Sequence, residues 1–174
     1  FYAPNAIREH LSGSRAYYTC GDSIASPFED DAVMHALAEK RIYANYDMVG
    51  MKDFEHVLNG NTKITKFNEL LCAIDVTILG DNSLSGCSSL EEIALPYNVN
   101  TITAGAFRGC TSLTKINVAC DTIPTLAADA FNDLPETFVI YVEPGQEDNY
   151  RKAWPQYANH IQGFKQQKDE IKVV

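Results

Sequence analysis

The sequence predicts an α/β solenoid, a short array of stacked repeats with a small helical segment ahead of it and a helical cap behind it. Three observations carry this expectation. A block of apolar and glycine positions recurs about every 23 residues between Asp81 and Val142. Each block closes on apolar residues at i and i+2, the alternation of a strand with one buried face. On either side of the array the apolar residues take the three-and-four spacing of amphipathic helices instead.

Self-similarity at a fixed period decides the fold before any local propensity does. Aligning Asp81–Leu90 with Ala104–Leu113 matches Leu84 to Phe107, Gly86 to Gly109, Cys87 to Cys110 and Leu90 to Leu113. The match continues from Ile93 to Ile116 and from Leu95 to Val118, each pair 23 positions apart. A third unit runs one residue out of phase: Phe131 follows Phe107 by 24, Leu134 takes the place of Cys110, and Ile140 and Val142 follow Ile116 and Val118. Upstream, Ile64–Leu70 reads as an irregular opening unit.

Within one unit, Ile93 and Leu95 suit a short strand, Pro96 ends it, and Asn98 and Asn100 supply turn chemistry. Ile102 and Phe107 anchor the return segment, and Gly109 allows a tight backbone ahead of Cys110. A single unit of this kind cannot bury its apolar side. Stacked units form a continuous core and a ladder of parallel strands.

Five cysteines, Cys20, Cys72, Cys87, Cys110 and Cys120, contain no CxxC pair. That spacing argues against the common zinc and thioredoxin-like patterns. Cys87 and Cys110 fall at equivalent repeat positions and are expected as small buried thiols stacked one above the other. A disulfide between them is the alternative.

The pattern I-x-x-x-A-F-x-G-C-x-S-L-x-x-I-x-[LV]-P resembles the BspA-type leucine-rich repeats found in surface proteins of Bacteroides-like bacteria. Ile102, Ala106, Phe107, Gly109, Cys110, Ser112, Leu113, Ile116 and Val118 carry it here. The preceding unit departs in having Ser83-Leu84 in place of Ala-Phe, and the second has Ala119 where Pro is usual. The resemblance covers roughly residues 62 to 162. It implies a secreted or surface-anchored protein used for adhesion or ligand recognition, with no ligand named.

A solenoid needs its last apolar face covered. Asp148, Tyr150, Ala153, Trp154, Tyr157, Ala158 and Ile161 recur at spacings of three and four, which predicts a terminal amphipathic helix interrupted at Pro155 and ended near Gly163. Trp154 and Tyr157 are expected to cap the array, the rival role being a carbohydrate-stacking platform. A further strand in the polar tail after Lys165 completes the expectation.

Ahead of the array, Glu29-Asp30-Asp31 followed by Val33, Met34, Leu37 and Ala38 predicts a helix with an acidic start. A second short helix is expected over Lys52–Leu58, and the loop Asn45–Gly50 between them resembles a degenerate EF-hand. Val49 stands where a third oxygen ligand belongs and His56 where the bidentate Glu belongs. No metal or other cofactor is therefore predicted. The expected organisation is residues 1–28 as an unassigned segment or linker, 29–61 as the small helical segment, 62–145 as repeats and 146–174 as cap and tail.

A net charge of −9 argues against nucleic acid or an anionic membrane surface as partner, since both are bound by clustered cations. No apolar run approaches the length of a membrane span. The chain opens on Phe1 without a signal-peptide pattern, so a signal or anchor is expected outside it. His10, His35, His56 and His160 form no metal or nucleophile motif, and no phosphate-binding loop is present. A non-catalytic module is predicted.

Strand alternation about Ile93, Ile116 and Ile140 places Glu92, Ala94, Lys115, Asn117, Val139 and Tyr141 on the open face. These six are the candidate ligand-binding residues, and the expected partner is a host or bacterial surface protein or glycan. The alternative is an architectural spacer, or a subunit of a larger assembly such as a phage virion, with no ligand of its own.

Overall fold

The computed structural model describes residues 32, 33, 36, 58–68, 70 and 75–164. Two parallel sheets face each other across the core. The larger has the order β1-β3-β5-β7-β8 and is built from β1 (Lys66–Phe67), β3 (Glu92–Leu95), β5 (Lys115–Val118), β7 (Val139–Val142) and β8 (Ile161–Gly163). The smaller, β2-β4-β6, consists of the return strands β2 (Ile78–Leu79), β4 (Thr101–Ile102) and β6 (Thr125–Leu126). Helix α1 (Glu147–Ala153) and a 3-10 helix (Pro155–His160) follow β7.

The repeat offset is also the strand register. Ile93 pairs with Ile116 and Leu95 with Val118, the partners expected from the 23-residue alignment, while the longer third unit pairs Ile116 with Ile140. Parallel pairing needs a crossover between strands, and each coil supplies one through its turn and return strand.

The turn explains the glycine at the repeat's centre. Gly86 and Gly109 have φ of 75° and 74°, left-handed values at which a Cβ is strained. They stack closely: a Cβ on Gly86 would lie 3.4 Å from the Cα of Gly60, itself at φ 74°. Asp133 takes the same position in the third unit, at φ 68°. Backbone amides then ladder from coil to coil, with the Gly60 N–H donating to Ser85 O at 2.7 Å and the Gly86 N–H to Arg108 O at 2.7 Å. Leu58 likewise donates to Ser83 O. Leu58–Gly60 thus forms the turn of a coil ahead of the boundary expected at residue 62.

Equivalent positions fill one continuous core: Leu84, Phe107 and Phe131 on the return side, Leu90 and Leu113 at strand entry, and Phe67, Ile93, Ile116 and Ile140 on the strands. Cys87 and Cys110 are buried free thiols, as expected. Their Sγ–H groups donate to the carbonyls of Leu58 at 3.2 Å and Leu84 at 3.1 Å, each in the preceding coil. Burial pushes the Cys87 thiol up to about 11 and the Cys110 thiol up to about 12. Both stay protonated at neutral pH.

At the first end, Ala32, Val33 and Ala36 are helical, and Val33 is fully buried in the same core. The expected degenerate loop 45–50, nearly all of the second helix and residues 1–28 lie outside the described residues; Leu58, expected at the end of that helix, sits in a buried bend.

The cap departs from a single interrupted helix. Pro155 starts a 3-10 helix, and its N-cap Trp154 is followed by Tyr157 and His160 at the three-residue period. Ile161 and Gly163 are not helical: they form β8, which extends the sheet by pairing Ile140 with Ile161 and Val142 with Gly163. Strand pairing satisfies the amides that a helix would otherwise bond internally, and it buries Ile161 on the core side. The tail after residue 164 lies outside the described residues.

Trp154 is 1% exposed and donates from Nε1 to Pro124 O at 3.0 Å. Its ring meets Phe131 edge-on at 6.3 Å and Tyr150 at 5.0 Å. Tyr157 packs on Phe131 and Phe138. These rings close the end of the core, so Trp154 offers no platform to a sugar.

Candidate recognition surface

The parallel register brings the six candidate residues into two rungs on one side of the larger sheet. Glu92, Lys115 and Val139 pair across β3, β5 and β7, and so do Ala94, Asn117 and Tyr141. Their accessibility differs sharply. Lys115 is 50% exposed at its side chain, whereas Glu92 retains 13%. Val139 and Tyr141 are half-buried.

Ala94 and Asn117 have no accessible surface, contrary to the open position expected for them. Ala94 packs with Ala119 and Phe164, and Tyr141 leans on that small cluster with its ring 5.7 Å from Phe164. The chain leaving β8 thus folds back over part of this face, which strand alternation within β3 and β5 does not reveal.

One polar network links the rungs. The Asn117 Nδ2–H donates to Glu92 Oε1 at 3.0 Å, and Lys115 Nζ lies 3.9 Å from Glu92 Oε2. Asn117 Oδ1 is enclosed without a hydrogen-bond partner. The Lys115 contact is loose and solvated, so it fixes little energy and leaves the ammonium available. The accessible part of the face is therefore a cationic head beside a carboxylate, bordered by Val139 and Tyr141.

A second concave feature was not anticipated. Tyr97, Val118, Cys120, Asp121, Ile123, Glu143, Gln146 and Tyr150 line a cleft of about 340 Å³ where α1 meets the ends of the strands. Its lining comes from separate coils and from α1, so no local motif announces it. The single available signal was Tyr97, an aromatic in a turn that asks for small polar residues, and it is 41% exposed. Burial pushes the Cys120 thiol up to about 12 and also raises the Glu143 carboxyl and the Tyr150 phenol. A thiol so far above neutrality supplies little thiolate and is a poor nucleophile.

Among the described residues no group of three or more His, Cys, Asp or Glu side chains is arranged to hold a metal ion. Nor is any described helix long and apolar enough to cross a membrane.

Coils of strand, tight turn and return strand, stacked in register at 23 and 24 residues, define a leucine-rich-repeat solenoid. Residues 54–137, just under half of the chain, are similar to the family model described as the BspA type leucine rich repeat region, in six copies. The match opens ahead of Leu58, in keeping with the early turn at Leu58–Gly60. No curated protein matches the chain. Repeat regions of this class are commonly binding or recognition modules, since a rigid stack displays an extended row of side chains.

Proposed function

We propose that the chain is a non-catalytic recognition module of a secreted or cell-surface protein, binding a protein or glycan through the larger sheet. The observation that carries this reading is the rung Glu92–Lys115–Val139, with Tyr141 beside it. It combines a half-exposed, loosely paired cation, a carboxylate and an aromatic edge on strands fixed by cross-coil pairing. Rigid strands hold such groups with little entropy to lose on binding. Ala94 and Asn117 contribute by positioning, Asn117 through its bond to Glu92.

The test is a binding screen of the purified chain against immobilised extracellular-matrix proteins and glycans, with mass followed by light scattering. Saturable binding by a monomer, lost in the double variant Lys115→Ala, Tyr141→Ala while the circular dichroism spectrum is kept, supports this face. Binding that survives the double variant removes it. Self-association without any ligand favours the architectural role in its place.

A further inference from the structure

We propose that the cleft between α1 and the strand ends is a second, separate site, which takes the alkylammonium head of a lysine side chain presented by a partner protein. Glu143 Oε1 is enclosed and has no hydrogen-bond donor. Tyr150, 4% exposed, lines the cleft as well. A carboxylate oxygen withdrawn from water and left without a donor is unusual, because no hydrogen bond offsets its desolvation.

The remaining lining defines what would satisfy the Glu143 carboxylate. No Lys or Arg side chain contributes to it, while Asp121 adds a second carboxylate at the exposed rim. Tyr97 stands open at the mouth, and Val118 and Ile123 give an apolar wall. An ammonium group brings three donors and a positive charge, and the stem behind it is apolar. The carboxylates, the tyrosine rings and the apolar Val118 and Ile123 match those three parts, the rings adding cation–π attraction. The volume of about 340 Å³ admits a side chain with some water and falls at the lower end for organic ligands.

The fold explains why the cleft exists. Tyr97 follows β3 and Cys120 follows β5, and these turns stack tightly, the Asp121 N–H donating to Tyr97 O at 2.9 Å. After β7 the chain does not make another such turn. Pro144 and Gly145 redirect it into α1, and Gln146 at the N-cap of that helix and Tyr150 within it line the cleft with residues of the stacked turns. The gap is the step from repeat to cap.

Calorimetric titration of the full chain with Nα-acetyl-lysine methylamide tests the proposal. Saturable binding is expected, weakened roughly ten-fold or more by Glu143→Gln and several-fold by Tyr97→Ala, with Arg108→Ala unchanged. The neutral Nε-acetylated probe should bind roughly ten-fold more weakly or worse. Putrescine distinguishes the source: weaker binding than the lysine probe assigns the cleft to a protein side chain, tighter binding to a free amine in place of a protein partner. Equal binding of the charged and neutral probes, or preference for a methyl glycoside, overturns the cation site, as does the absence of saturable binding. Should Glu143→Gln fail to fold, Asp121→Asn and Tyr97→Ala at exposed positions carry the test, and unchanged affinity in both overturns it.

Discussion

Replacing Trp154 with alanine should unfold the cap end of the solenoid, and the size of the effect follows from its contacts. The indole is buried to 1% exposure among Phe131 and Tyr150, and its Nε1 satisfies Pro124 O. Truncating a buried aromatic of this size costs about 3–5 kcal/mol in lost transfer energy and cavity. Leaving a buried carbonyl without its donor adds about 1 kcal/mol. A total near 5 kcal/mol approaches the whole stability of a typical domain, about 5–15 kcal/mol. Trp154→Phe keeps most of the packing and loses the hydrogen bond, so it should cost about 1–2 kcal/mol. Urea unfolding followed by circular dichroism separates the three proteins, since fluorescence disappears with the chain's single tryptophan. An alanine variant within about 1 kcal/mol of the parent would refute the claim that this ring closes the core.

Further expectations concern the repeat turns, the thiols and the surface. Asp133→Gly should raise stability by about 0.5–1 kcal/mol, because Asp133 holds a left-handed φ of 68° that glycine adopts freely, and Gly109→Ala should lower it by a similar amount; paired thermal melts check both signs. The Cys87 and Cys110 thiols ionise near 9.0 when unfolded and only near 11 and 12 when folded, so above pH 9 the unfolded chain binds fewer protons and stability falls. Their contribution is complete below pH 9 and lost as pH rises through 11 to 12; in melts across that range, Cys110→Ala should flatten the decline. Native Cys110 should resist iodoacetamide at pH 8 until urea is added, and rapid native alkylation would contradict its burial. Arg108→Ala should shift stability by less than about 1 kcal/mol, since its 2.9 Å bridge to Asp129 is half exposed.

How much of this was legible in the sequence depended on whether each feature was set within one coil or between distant ones. The strands β3, β5 and β7 and their register were readable because identical core positions recur at a fixed offset, and the offset is the register. The turn at Leu58–Gly60 escaped because Asn61 stands where Cys87 stands one coil later. It does the job differently, accepting from the amides of Lys63 at 2.9 Å and Ile64 at 3.2 Å rather than donating a thiol hydrogen. The return sheet was missed because two-residue strands such as Thr101–Ile102 are too short to show alternation. β8 was read as helix because Tyr157, Ala158 and Ile161 keep helical spacing, whereas the pairing of Ile140 with Ile161 is decided by the open edge of β7.

The same distinction governs the two candidate sites. Strand alternation predicts which way Lys115 and Glu92 point, and here it is sufficient because their neighbours across the rung obey the same period. It fails for Ala94 and Asn117, which obey the alternation and are nevertheless enclosed, Ala94 in a cluster with Phe164, which arrives from beyond the last repeat. Asn117 shows what that enclosure costs: Oδ1 has lost water without gaining a donor, while Nδ2 holds Glu92. Asn117→Asp should therefore be among the most damaging single changes on this face. It would set a second buried acceptor against Glu92 Oε1, now 3.0 Å from Nδ2, where a donor is required. Two carboxylates that close cannot both stay ionised, so one must take up a proton to remain folded. The expected loss is about 3 kcal/mol near neutrality, shrinking as the pH drops toward 5. Melts of Asn117→Asp that track the parent at every pH would mean that Asn117 reaches solvent, and the whole second rung would then return to the recognition surface.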